Sequence, residues 1–375
     1  MFMATTLQQG EGSEVEGEGR SAMATQRMNN LAVMPAETEA KRETDEDVSI
    51  SSVQELAESG MQAVPARFIR PEQELASFRP YSSLCLEPIP MIDLEGLLDF
   101  RRQFTMAAIS SACRHWGCFQ IVNHEIPQSI LDDALGAARE FFEMPSREKQ
   151  AHKIDPSIPN ASGYGMQSSE AKDKVFDWGD VMFHSNLDSW PDNPATYKNA
   201  MDAYARETRK VLESLLDVIS KELRLIPTYF RNVFGEFEQP LRVNYYPPCP
   251  QPELVLGLRT HTDPLVLTAL LEDQTRGLQV KNGDKWIPVD PESDALVIFV
   301  GDQLQISSNN QYKAVSHRAV VNNKKARISI AMGLAPNAKA RIRPAVQLVD
   351  KAATSRYETR TYAEVRASSP NGVRW

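Results

Sequence analysis

Two short stretches carry side chains able to hold one metal ion between them. In RTHTDPLVLTALLED, His261 and Asp263 stand two residues apart just ahead of a run of strand-forming apolar residues, and His317 lies further on within YKAVSHRAVV. In a jelly roll, residues i and i+2 can point inward together where one strand begins, and a later strand can bring a second imidazole beside them. Two imidazoles and one carboxylate gathered on one face leave the remaining coordination positions open, an arrangement that suits Fe(II) and O2 chemistry. The plainer reading is a polar turn leading into a strand, since His-x-Asp pairs arise by chance in many chains.

Arg327 and Ser329 favour the metal reading. They are again i and i+2, in the alternating segment ARISIAM, so both project from one face, which is interior if Ile328 and Ile330 meet another layer. Arginine offers a fixed, always-charged fork, and serine adds a short neutral donor. Together they suit the far carboxylate of a dicarboxylic cosubstrate. In isolation, an Arg-x-Ser pair reads more readily as a surface ion pair and a strand serine.

The elements that must position these groups follow from composition and periodicity. Residues 1–52 are expected to form an acidic leader that builds no core: as far as residue 50, Phe2 is its only aromatic residue, and Glu, Gly, Ser and Thr dominate. The leader lacks the apolar centre of a secretory signal and is too acidic for a typical transit peptide, so a cytoplasmic location is expected. Residues 53–235 read as a helical region. SSVQELAESG is a short capped helix, IPMIDL a first strand, and ACRHWGCFQIVNH a helix that gives way to a strand after Gly117. SILDDALGAAREFFEM and YKNAMDAYARETRKVLESLLDVISKELRL are amphipathic helices. Residues 236–344 turn to short strands: LRVNYY, LVLTALL, a hairpin in GLQVKNGDKWIPV marked by Asn282-Gly283, then ALVIFV, YKAVSHRAVV and RISIAMGLA. Residues 345–375 are left as a tail. The expected class is α+β, with a double-stranded β-helix (jelly roll) core and an N-terminal helical region.

Bulk properties narrow the partners. The 375 residues, 42% of them hydrophobic, suffice for one large catalytic domain or two modest ones. A net charge of -9 without a dense Lys/Arg stripe argues against nucleic acid and against an anionic membrane surface, which leaves a small molecule. Cys85, Cys113, Cys118 and Cys249 form no Cys-x-x-Cys pair, as expected of reduced thiols in an intracellular protein. No apolar run approaches the roughly 18 residues of a membrane span. A monomer is expected.

The chain resembles the plant soluble 2-oxoglutarate/Fe(II)-dependent dioxygenases. The landmarks run in order from about Val53 to Pro344: VPARFIRP, IPMIDL, ACRHWGCFQIVNH, FFEMPSREK, GYG, NYYPPCPQPELVLGLRTHTD, GLQV, GDQLQ, VSHRAVVN and RISIAM. The resemblance implies iron at His261, Asp263 and His317, and 2-oxoglutarate at Arg327, Ser329 and Tyr246, with Asn244 beside them. It also implies an O2-consuming reaction that converts 2-oxoglutarate to succinate and CO2 while a small substrate is hydroxylated or desaturated, with ascorbate as supporting reductant. A binding protein on the same scaffold would have no need of a complete ligand set. A cupin-type enzyme working without 2-oxoglutarate would have no use for Arg327 with Ser329.

The landmarks leave the prime substrate open among flavonoids, phenolic acids and jasmonate-like acids. Ahead of His184 stand Val181 and Met182, with Phe183 the one aromatic, and Gly333 and Ala335 follow the Arg-x-Ser pair; this departs from the flavonoid-enzyme pattern. Phe183 and Gly333 are candidate substrate contacts, Gly333 for the room it leaves. Arg242, in LRVNYYP, shares strand parity with Asn244 and Tyr246 and is expected to face the same interior. An inward arginine needs an anion, an acid group on the substrate; the plainer reading is an ion pair with an internal carboxylate or a place at the strand end reaching solvent, as for most arginines. His115, His124, His152 and His184 are expected to be structural, with His184 the first exception because the resemblance places its segment along the substrate pocket; Gly163–Gly165 are expected to form a tight turn beside the pocket, and Asp273, Asp290 and Asp302 to be turn or cap carboxylates.

Overall fold

The computed structural model describes residues 50–75, 87–155, 157–158, 161–167, 175–349 and 355–367, so the expected leader falls outside the described residues as far as residue 49. The first helix, α1 (Val53–Glu58), starts at Ser52, whose hydroxyl accepts a hydrogen bond from Glu55 N, and the short α2 (Glu72–Leu75) follows. After β1 (Met91–Asp93), α3 (Arg102–His115) buries Met106, Ile109, Ala112 and Cys113 along one side. It ends as expected at Gly117, which takes φ +74°. A Cβ there would lie 2.3 Å from Lys313 O, so only glycine fits. The chain then enters β2 (Cys118–Val122), parallel to β1.

Amphipathic spacing makes the next helices. α4 (Gln128–Glu143) buries Leu131, Ala134, Ala138 and Phe141, and after α5 (Ser146–Gln150) and two strands the long α6 (Tyr197–Glu222) buries Met201, Tyr204, Leu212, Leu215 and Ile219. α4 and α6 lie against one another, and α7 (Tyr229–Phe234) follows. Among the described residues no helix is long and apolar enough to cross a membrane.

The strands form two layers around the site. β3 (Gly163–Met166), β4 (Asp180–His184), β5 (Leu241–Tyr246), β7 (Leu267–Glu272), β10 (Leu296–Val300) and β12 (Arg327–Leu334) join the first two strands in the order β1-β2-β10-β7-β12-β5-β4-β3. β6 (Leu258–His261), β8 (Leu278–Asn282), β9 (Lys285–Pro288) and β11 (His317–Ala319) form a smaller sheet in the order β6-β11-β8-β9. Gly283 turns the β8–β9 hairpin at φ +60°, which a side chain would resist. The larger sheet is covered by α4 and α6, so β12 is buried along its whole length. Ile328, Ile330 and Met332 join the main apolar core, and Tyr245 of β5 stacks on Phe142 of α4 at 4.8 Å. The alternate residues of both strands are left for the interior.

Two expectations need correction here. The stretch 53–235, read as helical apart from the strands in IPMIDL and CFQIVNH, also supplies β3 and β4 to the large sheet. β4 escaped notice because all five of its residues are buried, which erases the alternation that marks a half-exposed strand. GYG is not a turn but the start of the edge strand β3. Gly163, at φ +147°, lets the backbone close on His152, whose carbonyl accepts from Tyr164 N at 2.7 Å.

Asp180 at the head of β4 anchors the segment that precedes the sheet. It accepts from Ser52 Oγ at 2.6 Å, Val53 N at 2.8 Å, Gln54 N at 3.0 Å and Tyr164 Oη at 3.1 Å, all out of solvent. Nearby, Asp177 takes Arg70 on one side and Arg259 Nε at 2.9 Å on the other, tying the same segment to β6. Asp180→Ala strips four donors of their acceptor and is expected to cost about 2–4 kcal/mol. Urea unfolding checks it: a loss below about 0.5 kcal/mol, the range of an ordinary surface change, would show that the cluster does not hold α1.

Candidate metal centre and cosubstrate site

β6 and β11 are antiparallel neighbours, with His261 directly opposite His317. Residues in that relation share a face, and the two imidazoles stand 4.2 Å apart, centre to centre. Asp263 is placed differently from expectation. It lies beyond the end of β6, in the connection to β7, not where a strand begins, and its carbonyl accepts from Asp302 N at 2.8 Å. The bend still brings its carboxylate back: Asp263 Oδ1 is 3.6 Å from His261 Nε2 and 3.7 Å from His317 Nε2. Among the described residues this is the one group of three or more His, Cys, Asp or Glu side chains that can hold a metal, with its ligand atoms all within 4.8 Å of one another.

The chemistry of the donors fits a divalent ion. His261 Nδ1 donates to Arg259 O at 2.8 Å and His317 Nδ1 to Val315 O at 3.2 Å. A carbonyl can only accept, so each proton is fixed on Nδ1 and each Nε2 lone pair faces Asp263. Burial, reinforced by the neighbouring His317, holds the His261 pKa well below the usual imidazole value. Both oxygens of Asp263 are buried without a hydrogen-bond partner. A carboxylate in that state is costly unless a cation completes it.

Arg327 and Ser329 project from β12 into the same interior, opposite Tyr246 and Asn244 of β5 respectively. Asn244 Nδ2 lies 3.3 Å from Ser329 Oγ, and the Arg327 guanidinium sits over the Tyr246 ring at 5.1 Å. Arg327 is 2% exposed, yet its Nε and Nη1 have no partner. Its Nη2 donates to Glu272 Oε1. These four residues and the three metal-type ligands line one cavity, together with Arg242, Thr268, Phe299 and Arg318.

Arg242 is inward, as parity required, and does not reach solvent at a strand end: it is 2% exposed and donates to Gln167 Oε1. Gln167 Nε2 in turn donates to Asn244 Oδ1 at 2.9 Å. Phe183 stands opposite Arg242 on β4, fully buried, and is not one of the residues lining the cavity. The room expected at Gly333 is not there. A Cβ at Gly333 would come within 2.1 Å of Leu265 Cδ1, because the Leu265 side chain fills that space.

Of the four remaining histidines, His184 and His124 make ring hydrogen bonds, and His152 packs its ring on Phe141 at 6.3 Å. His184 bonds Ser189 O and Tyr197 Oη, and burial draws its pKa down to about 4. His124 joins Asp294 O and Ile126 N. Asp273 accepts from Thr275 N and Ile328 N, Asp290 pairs with Arg276, and Asp302 opens the short helix α8 (Asp302–Ser307). Glu272, Thr268 and Gln167 were missed. Glu272 and Thr268 share parity in LTALLE and were legible as inward polar positions, whereas nothing local marks Gln167.

A jelly roll that gathers two imidazoles and a carboxylate beside a buried Arg–Ser pair defines a metal-dependent oxygenase with a dicarboxylate cosubstrate. Residues 237–336 match the model of the 2OG-Fe(II) oxygenase superfamily, and residues 89–204 match that of the non-haem dioxygenase in morphine synthesis N-terminal region. Jasmonate-induced oxygenase 2 of Arabidopsis thaliana is 38% identical over 343 residues, covering 86% of this chain and 91% of the relative. Flavanone 3-dioxygenase 2 of Oryza sativa subsp. japonica is 38% identical over 80% of this chain and 88% of its own. The crystal structure of JOX2 in complex with 2OG, Fe and JA superimposes with a TM-score of 0.77 at 39% identity, covering 85% of this chain and 93% of that one. The chain belongs to the 2OG-Fe(II) oxygenase superfamily. It is a dioxygenase that uses Fe(II), 2-oxoglutarate and O2, with ascorbate as supporting reductant, to hydroxylate or desaturate a small molecule.

Proposed function

We propose that the prime substrate is a small carboxylic acid, a specialised metabolite or hormone of the jasmonate or phenolic-acid kind, and that Arg242 receives its acid group. The observation that carries this reading is a buried guanidinium lining the same cavity as the metal-type ligands. The JA bound in the JOX2 complex supports it, since that protein is similar over most of this chain. In this reading His261, Asp263 and His317 hold the iron, while Arg327, Ser329 and Tyr246 hold 2-oxoglutarate with Asn244 at their side. Bound iron supplies the oxidising chemistry that O2 and 2-oxoglutarate make possible. The chain's own groups orient the reactants: Arg242 turns the substrate by its charged end, Gln167 steadies Arg242, and Leu258, Leu270 and Phe299 keep the cavity wall apolar. Phe183 backs Arg242 from the adjacent strand.

Cys113, Cys118 and Cys249 are unpaired thiols, which supports the cytoplasm as the protein's location.

The test is succinate formation with Fe(II), ascorbate and 2-oxoglutarate across a panel of phenolic and lipid-derived acids and their methyl esters. Arg242→Ala is expected to raise the KM for the acid about 10- to 100-fold and to change that of the ester little, because only the acid loses a charge-assisted hydrogen bond. Uncoupled decarboxylation should stay near the wild-type rate. Equal losses on acid and ester would return the advantage to a neutral, flavonoid-like substrate.

A further inference from the structure

We propose that Glu272 is a built-in competitor at the 2-oxoglutarate anchor and sets how tightly the cosubstrate is held. The inference rests on the reading of Arg327 as that anchor. Glu272 ends β7 directly opposite Ser329, so it stands on the same face of the sheet as the Arg-x-Ser pair. Its side chain is 4% exposed, against 3% for that of Arg327. One oxygen accepts from Arg327 Nη2, and the other is buried without a partner.

A guanidinium can grip a carboxylate two-on-two along either of two edges, Nη1 with Nη2 or Nε with Nη2. Both edges use Nη2. By taking one hydrogen of Nη2, Glu272 closes one edge and neutralises the charge that would draw in an anion. The distal carboxylate of 2-oxoglutarate must then use the other edge, beside a second buried carboxylate. Like charges brought together out of water cost several kcal/mol in comparable interfaces. Burial already pushes the Glu272 carboxyl above the usual range, a shift that Arg327 only partly opposes.

Glu272 is not needed to hold Arg327 in place. The Arg327 stem runs against Gly277, where a Cβ would stand 2.6 Å from its Cδ and 2.8 Å from its Nε, and Tyr246 lies under the guanidinium. The glutamate therefore weakens the anchor's hold on the cosubstrate without being its scaffold. The benefit to the enzyme is reversibility, since succinate leaves through the same contact.

The decisive measurement is calorimetric titration of 2-oxoglutarate, and separately of 2-oxobutyrate, into full-length protein loaded with Mn(II). The second ligand keeps the keto-acid end and lacks the distal carboxylate. Glu272→Gln keeps the shape and the acceptor but removes the charge, and is expected to tighten 2-oxoglutarate binding about five- to tenfold. Binding of 2-oxobutyrate should not change. Glu272→Met, neutral and of similar length, should shift 2-oxoglutarate in the same direction. Under turnover, the KM for 2-oxoglutarate should fall. Unchanged or weaker 2-oxoglutarate binding in a folded Gln or Met variant overturns the proposal. Arg327→Ala separates the two levels. If it weakens 2-oxoglutarate alone while the Glu272 variants do not tighten it, only the role of Glu272 falls; if it leaves 2-oxoglutarate binding intact, the anchor itself has been misplaced.

Discussion

His317→Ala is expected to yield a folded protein that no longer retains iron and makes no succinate. The three metal-type side chains are buried and share one small volume, and both Asp263 oxygens depend on a cation for a partner. Removing one imidazole leaves His261 Nε2 and Asp263 to hold a divalent ion with two ligands, and the affinity should fall by more than about 100-fold, beyond the loss seen when only a supporting contact is removed. The fold should survive. His317 stacks on Phe299 at 4.2 Å, and truncating it opens a cavity worth about 1–3 kcal/mol in a body with two sheets and a long helical cover. Iron content after dialysis, set beside a thermal melt, settles the matter. Wild-type stoichiometry in a variant that melts within a few degrees of wild type would remove His317 from the centre.

The site was easier to read than the fold around it, and the reason is physical. Metal and anion chemistry restricts residue type, so His261, Asp263, His317, Arg327 and Ser329 are conspicuous in a chain with six histidines. Strand parity added Arg242, because a period of two assigns a face without any knowledge of the partner strand. Parity fails where the backbone leaves the strand. Asp263 reaches its neighbours from a bend beyond β6, so the correct grouping was reached through an incorrect geometry. It also says nothing about what fills a space: glycine at 333 suggested room, but Leu265 had already taken it. β4 was lost because full burial removes alternation, and Gln167 because its role depends on an arginine 75 residues away. Glu272 was the avoidable omission, being an acidic residue on the inward parity of a strand otherwise apolar on that face save for Thr268.

Arg327→Lys is expected to raise the KM for 2-oxoglutarate about 10- to 100-fold while kcat at saturating cosubstrate stays within about threefold, a conservative change on paper that is not one at a shared fork. Lysine carries the same charge but concentrates it in a rotatable ammonium, which cannot offer one edge to Glu272 and another to the cosubstrate. Glu272 is resident, and its carboxylate is buried beside the place where the ammonium would arrive. The new pair should therefore form at the expense of 2-oxoglutarate, which would be left with Ser329, Tyr246 and a charge already spoken for. That competition makes a second result follow from the first. Adding Glu272→Gln to Arg327→Lys should recover part of the lost affinity, because the ammonium is then released to the cosubstrate. Both effects can be read from initial rates with 2-oxoglutarate varied at saturating prime substrate. A KM that does not move in Arg327→Lys would place the anchor elsewhere in the cavity. A KM that rises but is not lowered by the second substitution would keep Arg327 as the anchor and show that the loss comes from the fork's geometry alone.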